Sequence, residues 1–201
     1  MAIGDAAPEI IVVRSLVESD LGWFAAHRAA AKSKQRALNV NAEIARRILS
    51  KEVFEAGGAN LNCICAYDDV VVRESRRLGK SGKNWRLGGH KIEGHAFAEL
   101  DCKDLALIRT RAGNDGTQPV TIVFISKARA RVVHAGLAAI LGRQLAGSMA
   151  SFQEGDTQFK DLATHCAPIP WENPGHSAPR SLSPGLGLQE LGAGISGRAE
   201  R

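Results

Sequence analysis

Residues 71–91 read VVRESRRLGKSGKNWRLGGHK. Seven side chains in this stretch are cationic (Arg73, Arg76, Arg77, Lys80, Lys83, Arg86 and Lys91), and Glu74 is its single carboxylate. Glycines at 79, 82, 88 and 89 interrupt the run, and apolar segments flank it. The pattern is that of a stiff basic arm leaving one strand and entering another. Cations at this density repel one another unless a polyanion lies between them. Nucleic acid is the polyanion such clustering fits best, and a solvated basic loop is the bland alternative.

A second basic stretch lies upstream. Residues 31–41 read AKSKQRALNVN, with Lys32, Lys34 and Arg36 as its cations. Ser33, Gln35, Asn39 and Asn41 can donate to phosphates or base edges. Alone, this stretch reads equally as a polar loop or a helix N-terminus.

Outward from the two arms, the sequence alternates short apolar runs with turn residues. Residues 10–17 (IIVVRSLV) read as a first strand, rich in β-branched side chains. Residues 20–28 place Trp23, Phe24 and His27 at near-helical spacing, or in a loop packed under the core. Residues 41–49 (NAEIARRIL) form a short helix, capped by Asn41 and apolar at Ile44, Ile48 and Leu49. Residues 59–67 and 70–73 read as strands about a turn at Asp68 and Asp69. After the central arm, strands are expected at 95–100, 104–109 and 119–126, with a turn at 112–118. Residues 128–150 read as one or two helices at the end of the sheet. From residue 166 the chain is expected to be a linker or disordered tail, rich in Pro, Gly and Ser, after a domain at 8–165.

The sum is a mostly-β, α+β fold of about seven short strands, a closed or half-closed barrel with one early helix and helical material late. The chain has 201 residues, 44% of them hydrophobic, enough for one domain with a core. Its net charge of +5 is clustered in the two arms. The four cysteines, Cys63, Cys65, Cys102 and Cys166, have no zinc spacing and read as thiols in a reducing cytoplasm. No signal peptide or membrane span is evident.

Catalytic constellations are weak. Glu99, Asp101 and Lys103 are the best candidates for a magnesium-dependent nuclease, which needs acids and a lysine converging on the scissile phosphate. His90 and Lys91 lack the spacing of a covalent phosphodiesterase. No glycine-rich loop cradles a nucleotide phosphate, and no cofactor is expected. The arms themselves carry more chemistry. Arginine can pair with guanine, and asparagine or glutamine with adenine, in the major groove. Gln35, Arg36, Arg76, Asn84 and Arg86 suit that task, and Lys80 and Lys83 suit phosphate. Trp85 is the sole aromatic of the central arm, so duplex recognition fits better than stacking on single strands.

Within the central arm, Ser75, Arg76, Gly79, Lys80, Ser81 and then Arg86 follow a pattern like S-R-x-x-G-K-[ST]-x5-R, with four residues in place of five before the last arginine. A polar arm and short helix precede it, and a hydrophobic strand (TIVFIS) and an Ala/Gly/Leu-rich segment follow. This order, over residues 12–152, resembles the N-terminal, effector-binding DNA-recognition domain of EcoRII-type restriction endonucleases, a pseudobarrel of the plant B-three kind. The resemblance implies two arms gripping the major groove, with Lys34, Gln35, Arg36, Arg76, Lys80, Lys83, Asn84 and Arg86 contacting double-stranded DNA; the clustered charge adds Lys32, Arg73 and Arg77 to the expected contacts. This chain has SGKNW where a carboxylate could accept from cytosine, so its target should differ. No nuclease domain is read in the chain. It is expected to act as a recognition module, with catalysis in a separate domain or subunit, and not at a membrane.

Overall fold

The computed structural model describes residues 7–144, 148–169 and 171. In chain order the elements are β1 (Glu9–Ser15), α1 (Glu18–Leu21), a 3-10 turn (Arg28–Ala31), β2 (Ala37–Val40), α2 (Ala42–Ile48) and α3 (Lys51–Glu55). Then come β3 (Gly58–Tyr67), β4 (Val70–Ser81), β5 (Asn84–Gly88), a second 3-10 turn (His95–Glu99), β6 (Leu105–Arg111) and β7 (Val120–Ile125). The last elements are α4 (Arg131–Gln144), β8 (Met149–Gln153) and α5 (Phe159–Cys166). All eight strands form one curled sheet, a half-barrel, in the order β2-β5-β4-β3-β7-β6-β1-β8. Among the described strand pairs, β3–β7 alone is parallel. The expected mostly-β pseudobarrel is therefore the architecture, with eight strands where about seven were read.

The sequence explains which strands are covered on both faces. In β1, β6 and β7 the apolar run is continuous, and both faces are buried. Ile10, Val12, Ala106, Ile108, Ile122 and Phe124 face the larger core, together with Leu61, Cys63, Cys65, Leu78, Trp85 and Leu87. We call this side the inner face. Ile11, Val13, Leu105, Leu107, Val123 and Ile125 face the other way, onto Leu137, Ile140 and Leu141 of α4 and Leu162 and Cys166 of α5. Each such side chain stabilises the fold by about 1.5–3 kcal/mol when taken out of water. Across β5, β4 from Arg73 on and the first half of β3 the apolar residues alternate with polar ones, so the inner face carries the burial there, while Ala66 and Val71 reach the other layer.

Several expectations change. Residues 95–100 alternate like a strand but form a 3-10 turn. Gly94 enters it at φ +128°, Phe97 N donates to Gly94 O, and Leu100 N donates to Phe97 O, so the segment satisfies its own backbone. The alternation serves instead to insert Phe97, which stacks on Phe24 at 5.3 Å. The helical reading of 128–150 is met by α4 at Arg131–Gln144, and residues 145–147 lie outside the described region. Residues Met149–Gln153 form an edge strand on β1, because β1 has a second edge to pair. The basic arm at 71–91 is strand almost throughout, and residues 37–40 of the upstream arm are a strand as well. Ile169 and Trp171, read as tail, pack against the α4–α5 layer; residues 172–201 lie outside the described region. Asn41 caps α2 as read, accepting from Ile44 N at 2.8 Å.

The α1 segment is tied to β1 by a buried ion pair, Arg14 Nη2 to Asp20 Oδ2 at 2.6 Å, with Val17 N donating to the same oxygen. Burial raises the Asp20 pKa even so, which means the pair returns only part of its desolvation cost.

All four cysteines are free, and Cys102 alone is exposed. Burial pushes Cys63 up to about 12 and Cys65 up to about 11, with the Arg76 charge holding both back. Burial also pushes Cys166 up to about 12. The thiolate is the reactive form, so these three should be inert in the folded protein. Labelling with an excess of iodoacetamide at pH 8, read by mass spectrometry, should modify Cys102 alone in native protein and all four in denaturant. A second native adduct would contradict this packing.

Candidate nucleic-acid interface

The central arm is a hairpin. Ser81 pairs with Asn84 across a two-residue turn, Gly82 and Lys83. Gly82 sits at φ +61°, the first-position geometry that a type II′ hairpin requires and that glycine adopts without strain. Next along the ribbon, Gly79 pairs with Arg86 and Arg77 with Gly88. β2 lies on the far side of β5, placing Asn39 opposite Arg86 and Ala37 opposite Gly88. β3 lies on the far side of β4, placing Asn60 opposite Arg77, Asn62 opposite Ser75 and Gly58 opposite Gly79. Opposed residues share a face, as do residues two apart on one strand. Arg73, Ser75, Arg77, Asn84, Arg86, Asn39, Asn60 and Asn62 therefore stand on one side of the sheet. This is the outer face, which α4 and α5 cover at the other end. Here every one of these residues is exposed except Asn39, which is half-buried.

The inner side of the hairpin is anchored. Trp85 is 3% exposed and stacks on Phe54 of α3 at 4.6 Å, and Arg46 of α2 lies over that ring. Trp85 is thus unavailable for stacking on a base, and the ribbon is held rigid from behind. Lys80 shares parity with the inner residues but lies past the core, exposed, its backbone N bonded to Gly57 O. Lys83 is exposed in the turn.

The upstream arm runs beside the hairpin. Lys32, Lys34 and Arg36 are exposed, and Gln35 is half-buried with its Nε2 on Ala37 O. Gly89 N donates to Arg36 O, so this loop runs beside the end of β5, and the two arms are neighbours on one sheet. Lys91 Nζ donates to Ala30 O and pins the loop's base.

The charges of this region are unbalanced. Arg14, Arg47, Arg76, Arg109 and Arg129 each have a carboxylate partner. Lys32, Lys34, Arg36, Arg73, Arg77, Lys80, Lys83 and Arg86 have none among the described residues. Gly79 also matters here. A Cβ on it would lie 2.9 Å from Arg77 Nε, so the glycine makes room for that side chain along the ribbon.

Arg76 departs from its expected place. It is 1% exposed and points to the inner face. Its guanidinium lies 4.9 Å from the Trp23 ring, Nη1 donates to His90 O at 2.7 Å, and Nη2 donates to Glu74 Oε2 at 2.8 Å. It is a structural arginine, not a side chain that can reach a base as it stands. The period-2 pattern of 72–78, with Val72 and Leu78 in step with Arg76, is the signal that separates it from Arg73 and Arg77. The same alternation in 58–67 (GANLNCICAY) is the only signal for Asn60 and Asn62, which the charge pattern passes over.

The Glu99, Asp101 and Lys103 constellation does not assemble. Both Glu99 oxygens take hydrogen bonds from Arg129 at 2.7 Å. Asp101 Oδ1 accepts from Cys102 N, and Lys103 sits at φ +74° in the turn that leads into β6. Among the described residues no three His, Cys, Asp or Glu side chains are grouped so as to hold a metal ion. No described helix is long and apolar enough to cross a membrane. No family model matches this chain, and no curated protein matches it.

Adjacent arginines on opposite faces give a direct check on the geometry. Arg76→Ala should destabilise the fold by about 3 kcal/mol, since it removes a buried, stacked and paired cation. Arg77→Ala should change stability by less than about 0.5 kcal/mol. Urea unfolding of the two variants measures both, and similar losses would contradict the assigned faces.

Proposed function

We propose that this chain binds double-stranded DNA in a sequence-selective way through the outer face of β2, β5, β4 and β3. The observation that carries the proposal is the set of eight exposed cations without carboxylate partners, gathered about one hairpin and interleaved with amide side chains. A polyanion supplies the missing counter-charge. A two-stranded ribbon is one of the elements the major groove, about 12 Å wide, admits. The β4–β5 ribbon is such an element, and its inner side is fixed by Trp85 on Phe54.

In this reading Lys32, Lys34, Lys80 and Lys83 contact phosphates, as flexible point charges do. Arg77 and Arg86 stand on the exposed side of the ribbon, where a guanidinium can bond guanine O6 and N7 together. Arg36, Gln35 and Asn84 extend the contact on either side, and Arg73 marks its far end. The resemblance to EcoRII-type recognition domains belongs to the same proposal: a cytoplasmic recognition module of a type II restriction system, or a free-standing relative, with any hydrolysis carried by a separate domain or subunit.

Selection from a random duplex library near physiological salt, followed by sequencing of the bound pool, tests this. A short enriched motif is expected. Arg77→Ala or Arg86→Ala should then cost about 1–3 kcal/mol and relax one position of the motif. Lys83→Ala should weaken all sequences alike and lower the salt dependence by about one phosphate contact. A flat pool whose binding vanishes as salt rises would overturn sequence-selective recognition.

A further inference from the structure

We infer that Asn60 and Asn62 of β3 are specificity-determining residues that read adenine in the bound duplex; this rests on the DNA-binding reading above. Both are exposed on the outer face, one opposite Arg77 and the other opposite Ser75. Neither amide makes a hydrogen bond among the described residues. The contrast with other asparagines is direct. Asn41 caps α2, and Asn114 bonds Thr110 Oγ1, Gln118 O and Gly116 N within a loop.

Asparagine is among the residues depleted in strands, because its side chain competes with the backbone and packs poorly on a pleated surface. Yet Asn39, Asn60, Asn62 and Asn84 all lie in strands, and all on this one face. An exposed strand favours Thr, Val or Tyr at such positions. A ligand that needs a donor and an acceptor on one planar group accounts for the choice. Adenine presents that pair at N6 and N7, and an arginine or lysine cannot serve it because neither accepts.

The spacing fits the same ligand. Arg73 and Arg77 are four residues apart on one face, or about 14 Å along the strand. That separation is close to the width of a major groove, about 12 Å. Asn62 and Ser75 lie across from each other between the two arginines, with Asn60 beside Arg77. Arg73 is thus placed for a phosphate wall, and the two amides lie toward the base edges that Arg77 faces. Because the amides are neutral, they add selectivity without adding to the salt-dependent term.

The test uses the full chain, with wild type, Asn60→Ala and Asn62→Ala each selected against the random duplex library. The wild-type motif should contain adenine. Each variant should lose about tenfold of its discrimination at one adenine position, while affinity for unrelated duplexes and the salt slope stay unchanged. Replacing that adenine by 7-deazaadenine, which lacks N7, should weaken wild type and leave the matching variant unaffected. A motif unchanged in both variants would overturn the role of these amides while leaving DNA recognition by the ribbon intact. A flat wild-type pool would overturn both. If an alanine variant melts below wild type, the neutral Asn60→Thr or Asn62→Thr, which suits an exposed strand, supplies the same position-by-position readout.

Discussion

Arg76 fixes which side of the ribbon faces water. Its guanidinium lies on Trp23, its two terminal nitrogens hold Glu74 and the His90 carbonyl, and it is closed off from solvent. In a pleated strand one buried position sets the direction of all the others. With Arg76 inward, Leu78 falls inward as well, and Arg73, Ser75 and Arg77 must stand outward. A slip of one residue would bury Arg77 and expose Leu78, so register here is strongly specified. Partners across the sheet inherit the choice, which is why Arg86, Asn39, Asn60 and Asn62 share the open face.

The same parity explains the rest of the architecture. On β1, β6 and β7 the outward positions are Ile, Val and Leu, and an apolar sheet face must be covered. α4 and α5 cover it, with Phe152 of β8 buried in the same layer. On β5, on β4 from Arg73 onward and on the first half of β3 the outward positions are Arg, Asn, Ser and Gly, which need no cover. The boundary runs along β3, where Ala66 belongs to the covered layer and Asn62 to the open one. One continuous sheet therefore has a structural half and a half free for a partner, and the division follows residue type position by position.

Much of this was legible in the sequence. Continuous apolar runs marked β1, β6 and β7 because both their faces are buried, and Asn41 marked the start of α2 because capping is a local interaction. The basic hairpin was legible as an arm between strands. The remainder depended on tertiary context. Residues 95–100 alternate for packing and not for pairing, since no strand edge is offered to them. Residues 149–153 became a strand only because β1 lay beside them. Arg76 looked like its neighbours, since charge counts carry no information on direction, and Asn60 and Asn62 carried no charge to be counted. The nuclease constellation failed for a related reason: nearness in sequence did not bring Glu99 and Asp101 onto one metal, and Arg129 occupies the first of them.

The most direct test of the central claim is a two-dimensional amide-resonance map of isotopically labelled protein, titrated with a duplex at near-physiological salt. The account predicts that shifts concentrate on the outward residues Arg73, Ser75, Arg77 and Arg86 and on the side-chain amides of Asn60, Asn62 and Asn84. Residues beneath α4 and α5 should stay unmoved. Shifts centred on any other surface, or none at saturating DNA, would contradict it.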